Sequence, residues 1–92
     1  KNKNLHLFRI LQELMNNSLR HGNATVISIL FELDGDKKVC RYADNGLGFD
    51  TNDKSIQSGL GMKNIRSRVD FLNGSILVSS SLNNGINVVL HF

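Results

Sequence analysis

The 92-residue sequence contains no proline, no tryptophan and a single cysteine, Cys40. One cysteine excludes an internal disulfide, and no cysteine or histidine stands near it at the spacing of a zinc site. No apolar run approaches the roughly 20 residues that a membrane span requires. Aromatic residues make up 7% and the net charge is +3, without the concentrated basic stripe that is typical of nucleic-acid binding. With a length of 92 residues, these features indicate one globular domain with a modest core.

Hydrophobic periodicity predicts the order helix, two strands, helix, two strands. The helices are expected over residues 5–21 and 60–73, and the strands over residues 25–33, 37–44, 75–82 and 86–92. Asp34-Gly35 and Asn83-Asn84-Gly85 are hairpin signals between the paired strands. A glycine-rich stretch, residues 45–59, has no clear period.

The same periods predict which side chains form the core. On the first helix they are Leu7, Phe8, Leu11, Leu14, Met15 and Leu19; on the second helix they are Met62, Ile65, Val69 and Leu72; on the last strand they are Ile86, Val88, Leu90 and Phe92. Two hairpins and two helices pack most simply as an α+β fold. We therefore expect a two-layer α/β sandwich, with both helices on one face of a mixed, mostly antiparallel sheet.

The first helix carries four polar side chains on the side away from this predicted core: Glu13, Asn17, Arg20 and His21. A solvated helix face gives the same pattern. The four groups also suit a phosphate and metal site. An amide oxygen can bind Mg²⁺ on a nucleotide, Arg20 and His21 can donate to phosphate oxygens, and Glu13 can accept a proton.

The segment DNGLGFD, residues 44–50, follows the second strand directly. A carboxylate at Asp44 could accept a hydrogen bond from the exocyclic amine of adenine and would repel the carbonyl of guanine. Such a bond is worth about 1.5–3 kcal/mol. Gly46 and Gly48 would let a base approach the backbone closely. A simple turn explains Asp44-Asn45-Gly46 equally well.

A second glycine pair, Gly59 and Gly61, stands with Leu60 and Met62 at the start of the second helix. Helix N-termini are natural seats for phosphate, so these four residues are candidate nucleotide contacts. The polar stretch FDTNDKSIQS between the two glycine pairs is a candidate lid. No P-loop pattern is present, and Asn64 stands where a dinucleotide fingerprint has its third glycine.

Three segments, ELMNNSLRH, DNGLGFD and GLGMKNI, occur in this order along the chain. Together they resemble the gyrase, heat-shock chaperone, histidine kinase and MutL superfamily of ATP-binding domains. The similarity is greatest to the catalytic ATP-binding domain of bacterial two-component sensor histidine kinases, and RILQELMNNSLRH resembles their nitrate-sensor-like branch. The resemblance covers nearly the whole chain, so residues 1–92 are expected to be one such domain, a fragment of a longer protein.

The resemblance implies a Bergerat-type ATP-binding fold that uses ATP and Mg²⁺. Asn17 corresponds to the metal ligand and Asp44 to the residue that reads adenine. Glu13 corresponds to the catalytic acidic residue, which serves as a base or orients the nucleophile. The remaining candidates, Arg20, His21, Gly46, Gly48, Gly59, Leu60, Gly61 and Met62, correspond to phosphate and pocket contacts. It further implies transfer of the γ-phosphoryl group to a histidine on a dimerisation domain of the same protein. A response regulator is the other expected partner, and the parent protein is expected to be a bacterial homodimer. Nucleic acid is not an expected partner. The domain is expected in the cytoplasm, and the sequence leaves open whether the parent is anchored in a membrane.

Departures from the family pattern keep alternatives open. Gly85-Ile86 stands where these families usually have Gly-Thr, whose hydroxyl helps to hold adenine. The strand that often precedes the first helix is not in the sequence. The phosphoacceptor helix pair is not in the sequence either, so the fragment is expected to bind ATP without phosphorylating itself. An anti-sigma-factor serine kinase, another ATPase of the same fold, and a nucleotide-free interaction module remain alternatives.

Overall fold

The computed structural model describes residues 2–50, 52–53 and 61–92, with the side chains of residues 2 and 3 left aside. The described residues form two helices and four strands, in the predicted order: α1 (Asn2–Arg20), β1 (Ile27–Asp34), β2 (Lys37–Asp44), α2 (Met62–Phe71), β3 (Ser75–Ser80) and β4 (Ile86–His91). Within these ranges, neither helix combines the length and the apolar character that a membrane crossing requires.

The four strands form one sheet in the order β1-β2-β4-β3. All three pairings between them are antiparallel, which confirms the predicted α+β architecture. The central strands are β2 and β4, and their register places Asp44, the last residue of β2, between Ile27 of β1 and Ile86 of β4. The backbone of Asp44 is therefore flanked by a strand on each side.

The core lies between the helices and one face of the sheet. Its buried members come from α1, β2, the segment after β2, α2 and β4: Ile10, Leu14, Cys40, Tyr42, Phe49, Met62, Ile65, Val69, Leu72, Ile86, Val88 and Leu90. The predicted core face of α2 is confirmed in full. On β4 the prediction holds for Ile86, Val88 and Leu90, while Phe92 is partly buried.

The predicted core face of α1 is wrong for three of its side chains. Phe8, Met15 and Leu19 are 56%, 39% and 60% exposed. The buried positions of this helix are Ile10, Leu14, Asn17 and Ser18. The apolar residues of α1 cover more than one helix face, so periodicity alone does not fix its orientation. The structure turns the face that carries Asn17 inward, toward α2 and the end of β2.

Strand β1 leaves much apolar surface in solvent. Ile29 and Phe31 pair with Tyr42 and Cys40 and therefore lie on the same sheet face as these core residues. Nevertheless Ile29, Phe31 and Leu33 are 39%, 55% and 79% exposed. Within the described residues β1 pairs only with β2. Its outer edge and part of its inner face are therefore open.

Candidate nucleotide-binding site

Asp44 is held by three hydrogen bonds from within the chain. Its Oδ1 accepts the backbone N–H of Gly46 at 3.0 Å and that of Ile86 at 3.1 Å. Its Oδ2 accepts the hydroxyl of Ser18 at 2.6 Å. An ionised carboxylate offers about four lone-pair positions. These contacts therefore leave about one acceptor position, and it lies on Oδ2.

The Ser18 hydroxyl that contacts Asp44 belongs to a buried network. Ser18 Oγ lies 2.5 Å from Tyr42 Oη and 3.1 Å from the carbonyl oxygen of Leu14. Both Ser18 and Tyr42 are 2% exposed. Burial raises the pKa of the Tyr42 phenol, and the charge of Asp44 acts in the same direction. The phenol therefore keeps its proton at neutral pH.

The motifs in the sequence do not indicate these two hydroxyl groups, although the sequence contains a signal for each. Tyr42 stands two residues before Asp44, and alternate residues of a strand point to the same face. Ser18 directly follows Asn17 on α1. A search for polar neighbours of the two main candidates would have found them.

The turn after β2 is attached to the segment that follows α1. Leu47 N–H donates to the carbonyl oxygen of Gly22 at 2.7 Å. The Asn45 side-chain oxygen accepts the backbone N–H groups of Thr25 and Val26, each at 2.9 Å, and its amide nitrogen donates to Thr25 Oγ1 at 2.8 Å. The DNGLG turn and the end of α1 therefore form one connected unit.

Close backbone contacts explain two of the glycines in this turn. A Cβ atom on Gly46 would collide with the carbonyl oxygen of Gly22. Gly48 has φ +64°, and a Cβ there would collide with the carbonyl oxygen of Ser81 and lie 2.6 Å from that of Gly85. The fold itself requires glycine at both positions. Close approach of a base to Gly46 and Gly48 stays a prediction.

The start of α2 lies against α1. Gly61 is the residue before α2, and a Cβ on it would collide with Oε1 of Glu13. Glu13 thus meets the helix N-terminus that the sequence marks as a phosphate seat. The Met62 side chain is 3% exposed and belongs to the core, so only its backbone is available to a ligand. Gly59 and Leu60 lie outside the described residues.

An open cleft of about 550 Å³ runs between α1 and α2 beside Glu13. Its other lining residues are Arg9, Gln12, Met15, Asn16, Asn64, Ile65 and Arg68. The cleft is polar and carries two arginines near the one carboxylate. It gives the Glu13 side chain an approach from solvent.

The other predicted phosphate and metal residues lie at the C-terminal end of α1. Asn17 is 8% exposed, and its backbone carbonyl oxygen accepts the N–H groups of His21 and Gly22 at 2.9 and 3.0 Å. The side chains of Arg20 and His21 are exposed. Because Ser18 follows Asn17 and contacts Asp44, the structure brings the candidate metal ligand and the candidate adenine reader to adjacent places.

The candidate lid needs one correction. Phe49, its first residue, is 5% exposed and packs in the core, with its N–H donating to Ser80 Oγ at 2.9 Å. Phe49 stands among polar residues in the sequence, but its apolar ring is buried. Residues 51 and 54–58 of the candidate lid lie outside the described residues.

The family of the chain follows from its match to a family model. Residues 2–92 match the model described as "Histidine kinase-, DNA gyrase B-, and HSP90-like ATPase". The chain belongs to this family. It therefore carries an ATP-binding domain of the kind found in sensor histidine kinases, which confirms the family that the three sequence segments indicated.

Two curated relatives support this family assignment. The chain is 48% identical over 64 residues to "Sensor protein VraS" of Staphylococcus aureus (strain COL), an alignment that covers 68% of this chain and 18% of VraS. It is 26% identical over 84 residues to "Oxygen sensor histidine kinase NreB" of Staphylococcus carnosus, covering 91% of this chain and 24% of NreB. The chain thus spans at most about a quarter of either relative.

Solved structures of this ATPase family share the fold. The histidine kinase domain of the Erythrobacter litoralis EL346 blue-light activated histidine kinase matches with a TM-score of 0.78 at 18% identity, covering 99% of this chain and 47% of that one. Acinetobacter baumannii histidine kinase AdeS matches with a TM-score of 0.75 at 23% identity, covering 92% of this chain and 44% of that one.

The residues of the site fit the nucleotide that this family binds. The remaining acceptor on Asp44 suits the exocyclic amine of adenine. In the described ranges no group of three or more His, Cys, Asp or Glu side chains could hold a metal ion. Mg²⁺ on a nucleotide keeps several waters and takes only one or two protein oxygens besides the phosphates, so a single amide at Asn17 suffices for the predicted role.

Proposed function

We propose that this domain binds Mg·ATP between α1, the DNGLG turn and the start of α2, and that it supplies the γ-phosphoryl group for a histidine in a two-component signalling protein. The hydrogen bonding of the Asp44 carboxylate is the observation that supports the proposal most. Three internal donors fix its carboxylate, and one acceptor position remains on Oδ2.

Adenine recognition is assigned to this remaining acceptor. The exocyclic amine of adenine is a donor, so it can complete the coordination of Oδ2. Guanine has a carbonyl oxygen at that place, which would face a carboxylate without a proton between them. Hydrogen bonds to charged groups are worth about 1.5–3 kcal/mol, so this contact supplies a clear preference for ATP over GTP.

The triphosphate is assigned to the other end of the site. Asn17 would offer its amide oxygen to Mg²⁺, and Arg20 and His21 would offer donors to phosphate oxygens. The residues around Gly61 would contribute the positive end of the α2 dipole. Catalysis of phosphoryl transfer depends mainly on positioning and on neutralising charge, and these groups are suited to both.

Glu13 is assigned the role of base or of a group that orients the nucleophile. It meets Gly61 at the start of α2 and faces the open cleft between the helices. A histidine presented by another domain could approach through this cleft. The dimerisation domain that carries the histidine, the response regulator, the homodimeric bacterial parent and the cytoplasmic location of residues 1–92 are parts of this proposal.

Calorimetry tests the nucleotide part. ATP and GTP are titrated into the domain with Mg²⁺, and ATP is expected to bind at least about tenfold more tightly. Equal affinities would contradict the role of Asp44. The variant Asn17→Ala is expected to lose most of the Mg²⁺ dependence of ATP binding, and Asn16→Ala, which changes the exposed neighbour, is the control.

A transfer assay tests the chemical part. The domain is incubated with ATP labelled in the γ-phosphate and a histidine-bearing dimerisation domain from a related kinase. Acid-labile, alkali-stable phosphate on that domain is the expected product. Acid-stable phosphate would indicate transfer to serine, and binding of ATP without any transfer would restrict the proposal to nucleotide binding.

A further inference from the structure

We propose that Ser18 and Tyr42 are positioning residues that determine adenine specificity, because together they fix the proton that faces Asp44 Oδ2. The inference rests on the proposed function and adds two residues to it. Neither residue belongs to the set of candidates that the sequence pattern provides. Both act through Asp44, and neither needs to contact the nucleotide.

The protons of the network follow from the neighbours of Ser18. Ser18 Oγ has three oxygen neighbours, on Leu14, Tyr42 and Asp44, at 3.1, 2.5 and 2.6 Å. A serine hydroxyl donates only one proton and accepts up to two hydrogen bonds. The carboxylate and the carbonyl of Leu14 are acceptors only. With one proton and two acceptor-only neighbours, Ser18 has no proton left for Tyr42, so Tyr42 is the donor in the contact between the two hydroxyl groups.

The Ser18 hydroxyl has two acceptors, on Asp44 and on Leu14, for its one proton. Hydrogen bonds to an ionised acceptor are shorter and about twice as strong as neutral ones. The distance to Asp44 is the shorter of the two, at 2.6 Å against 3.1 Å for Leu14. The proton of Ser18 therefore faces Asp44, and the chain runs from the Tyr42 phenol through the Ser18 hydroxyl to Oδ2. Successive hydrogen bonds of this kind strengthen one another.

The same hydrogen bonds orient the side of Asp44 that would face a ligand. Two backbone N–H groups hold Oδ1, and the Ser18 hydroxyl holds Oδ2. Without the Ser18 bond, Oδ2 would be fixed only through Oδ1. Because Ser18 and Tyr42 are each 2% exposed, water cannot easily replace either hydroxyl. The network thus orients the one remaining acceptor before any ligand arrives, which lowers the cost of ordering it on binding.

The experiment compares ATP with purine riboside triphosphate, which has hydrogen in place of the exocyclic amine. The dissociation constant of purine riboside triphosphate divided by that of ATP measures the contribution of the contact between the amine and the protein. We expect Ser18→Ala to reduce this ratio about tenfold, equivalent to about 1.4 kcal/mol. We expect Tyr42→Phe to reduce it about threefold, because Ser18 keeps its proton but loses its donor. Ser18→Thr, which retains the hydroxyl, should restore most of the preference.

Ser80→Ala is the matched control. Ser80 also joins two segments through its hydroxyl, to Phe49 N–H at 2.9 Å and to the carbonyl oxygen of Gly85 at 2.7 Å. Ser80→Ala should lower stability without changing the ratio. If Ser18→Ala and Tyr42→Phe lower stability and leave the ratio at the wild-type value, the inference is overturned while the proposed function stands. If the wild-type domain binds neither nucleotide, the proposed function fails and the inference with it. If it binds both with equal affinity, the adenine-reading role of Asp44 and the inference fail, while ATP binding stands.

Discussion

The backbone N–H of Ile86 donates a hydrogen bond to Oδ1 of Asp44 at 3.1 Å. The side chain of Ile86 is buried in the core, at 7% exposure. The family pattern has threonine at this position, but the bond from the main chain does not depend on the side chain. The orientation of Asp44 is thus maintained although the usual hydroxyl is replaced by an aliphatic group.

Asp44→Asn should reduce the affinity for ATP by about 10- to 150-fold, the equivalent of losing a charged hydrogen bond. The amide oxygen can still accept the N–H groups of Gly46 and Ile86. The amide nitrogen then occupies the place of Oδ2 and presents protons to the amine of adenine. Calorimetry with ATP measures the change.

The control for this variant is Asp36→Asn, at an exposed position between β1 and β2. It removes the same charge from the domain. If both variants bind ATP as the wild type does, Asp44 does not contact the base.

Gly48→Ala should destabilise the domain by at least about 3 kcal/mol. Gly48 has φ +64°, and the added methyl group would collide with backbone oxygen of Ser81. Gly35→Ala is the matched control because Gly35 has φ +63° and nothing within 4 Å of the added atom. It should cost about 1–2 kcal/mol, the penalty for the left-handed conformation alone. Urea unfolding measures both variants, and equal costs would contradict the close approach seen at Gly48.

Tyr42 should make the domain lose stability at alkaline pH. Burial raises the pKa of its phenol above the ordinary value. The folded state therefore holds the proton at a pH where the unfolded state releases it. This contribution is complete below about pH 10, the unfolded pKa, and is lost as the pH rises from there through the folded pKa.

The free energy of unfolding, measured between about pH 9 and 11, should fall more steeply in the wild type than in Tyr42→Phe. Cys40, whose pKa is also raised by burial, is present in both proteins and contributes equally. Tyr42 is the only tyrosine in the sequence, so the ultraviolet absorbance of phenolate reports its titration directly. Titration at the ordinary pKa of a free tyrosine would contradict the prediction.

Asn45→Ala should cost about 1–2 kcal/mol of stability, since it removes the acceptor of two backbone N–H groups in an exposed loop. Asn45→Asp keeps that acceptor and loses only the donor to Thr25. It should therefore cost less than Asn45→Ala in thermal unfolding. The reverse order would show that the amide donor, and not the acceptor, holds the turn to the end of α1.

The sequence was sufficient for the element order and for the inner faces of α2 and β4. It failed for α1, because Phe8, Met15 and Leu19 form a second apolar stripe beside the buried one. Burial of Asn17 and Ser18 depends on contacts with segments distant in the chain, which a helical wheel does not contain. The exposure of Phe31 and Leu33 has the same origin, since the period of a strand gives its face but not what covers that face.

For the candidate site, the sequence indicates the residues expected to contact the nucleotide. It does not indicate the residues that position them through hydrogen bonds. Asp44 was predicted from its place at a strand end before glycines. The roles of Ser18 and Tyr42 depend on α1 crossing the end of β2, which is a tertiary relationship. Gly46 and Gly61 were interpreted through the ligand, whereas the structure places the backbone of Gly22 and the carboxylate of Glu13 against them.

The apolar side chains that β1 and α1 expose to water will govern how the isolated domain behaves in concentrated solution. Open strand edges and apolar patches promote contact between copies, and sulfate or phosphate salts strengthen such contacts. Solubility should therefore decrease sharply in these salts. In a crystal, Phe31, Leu33 and Leu19 should be among the first residues to form lattice contacts.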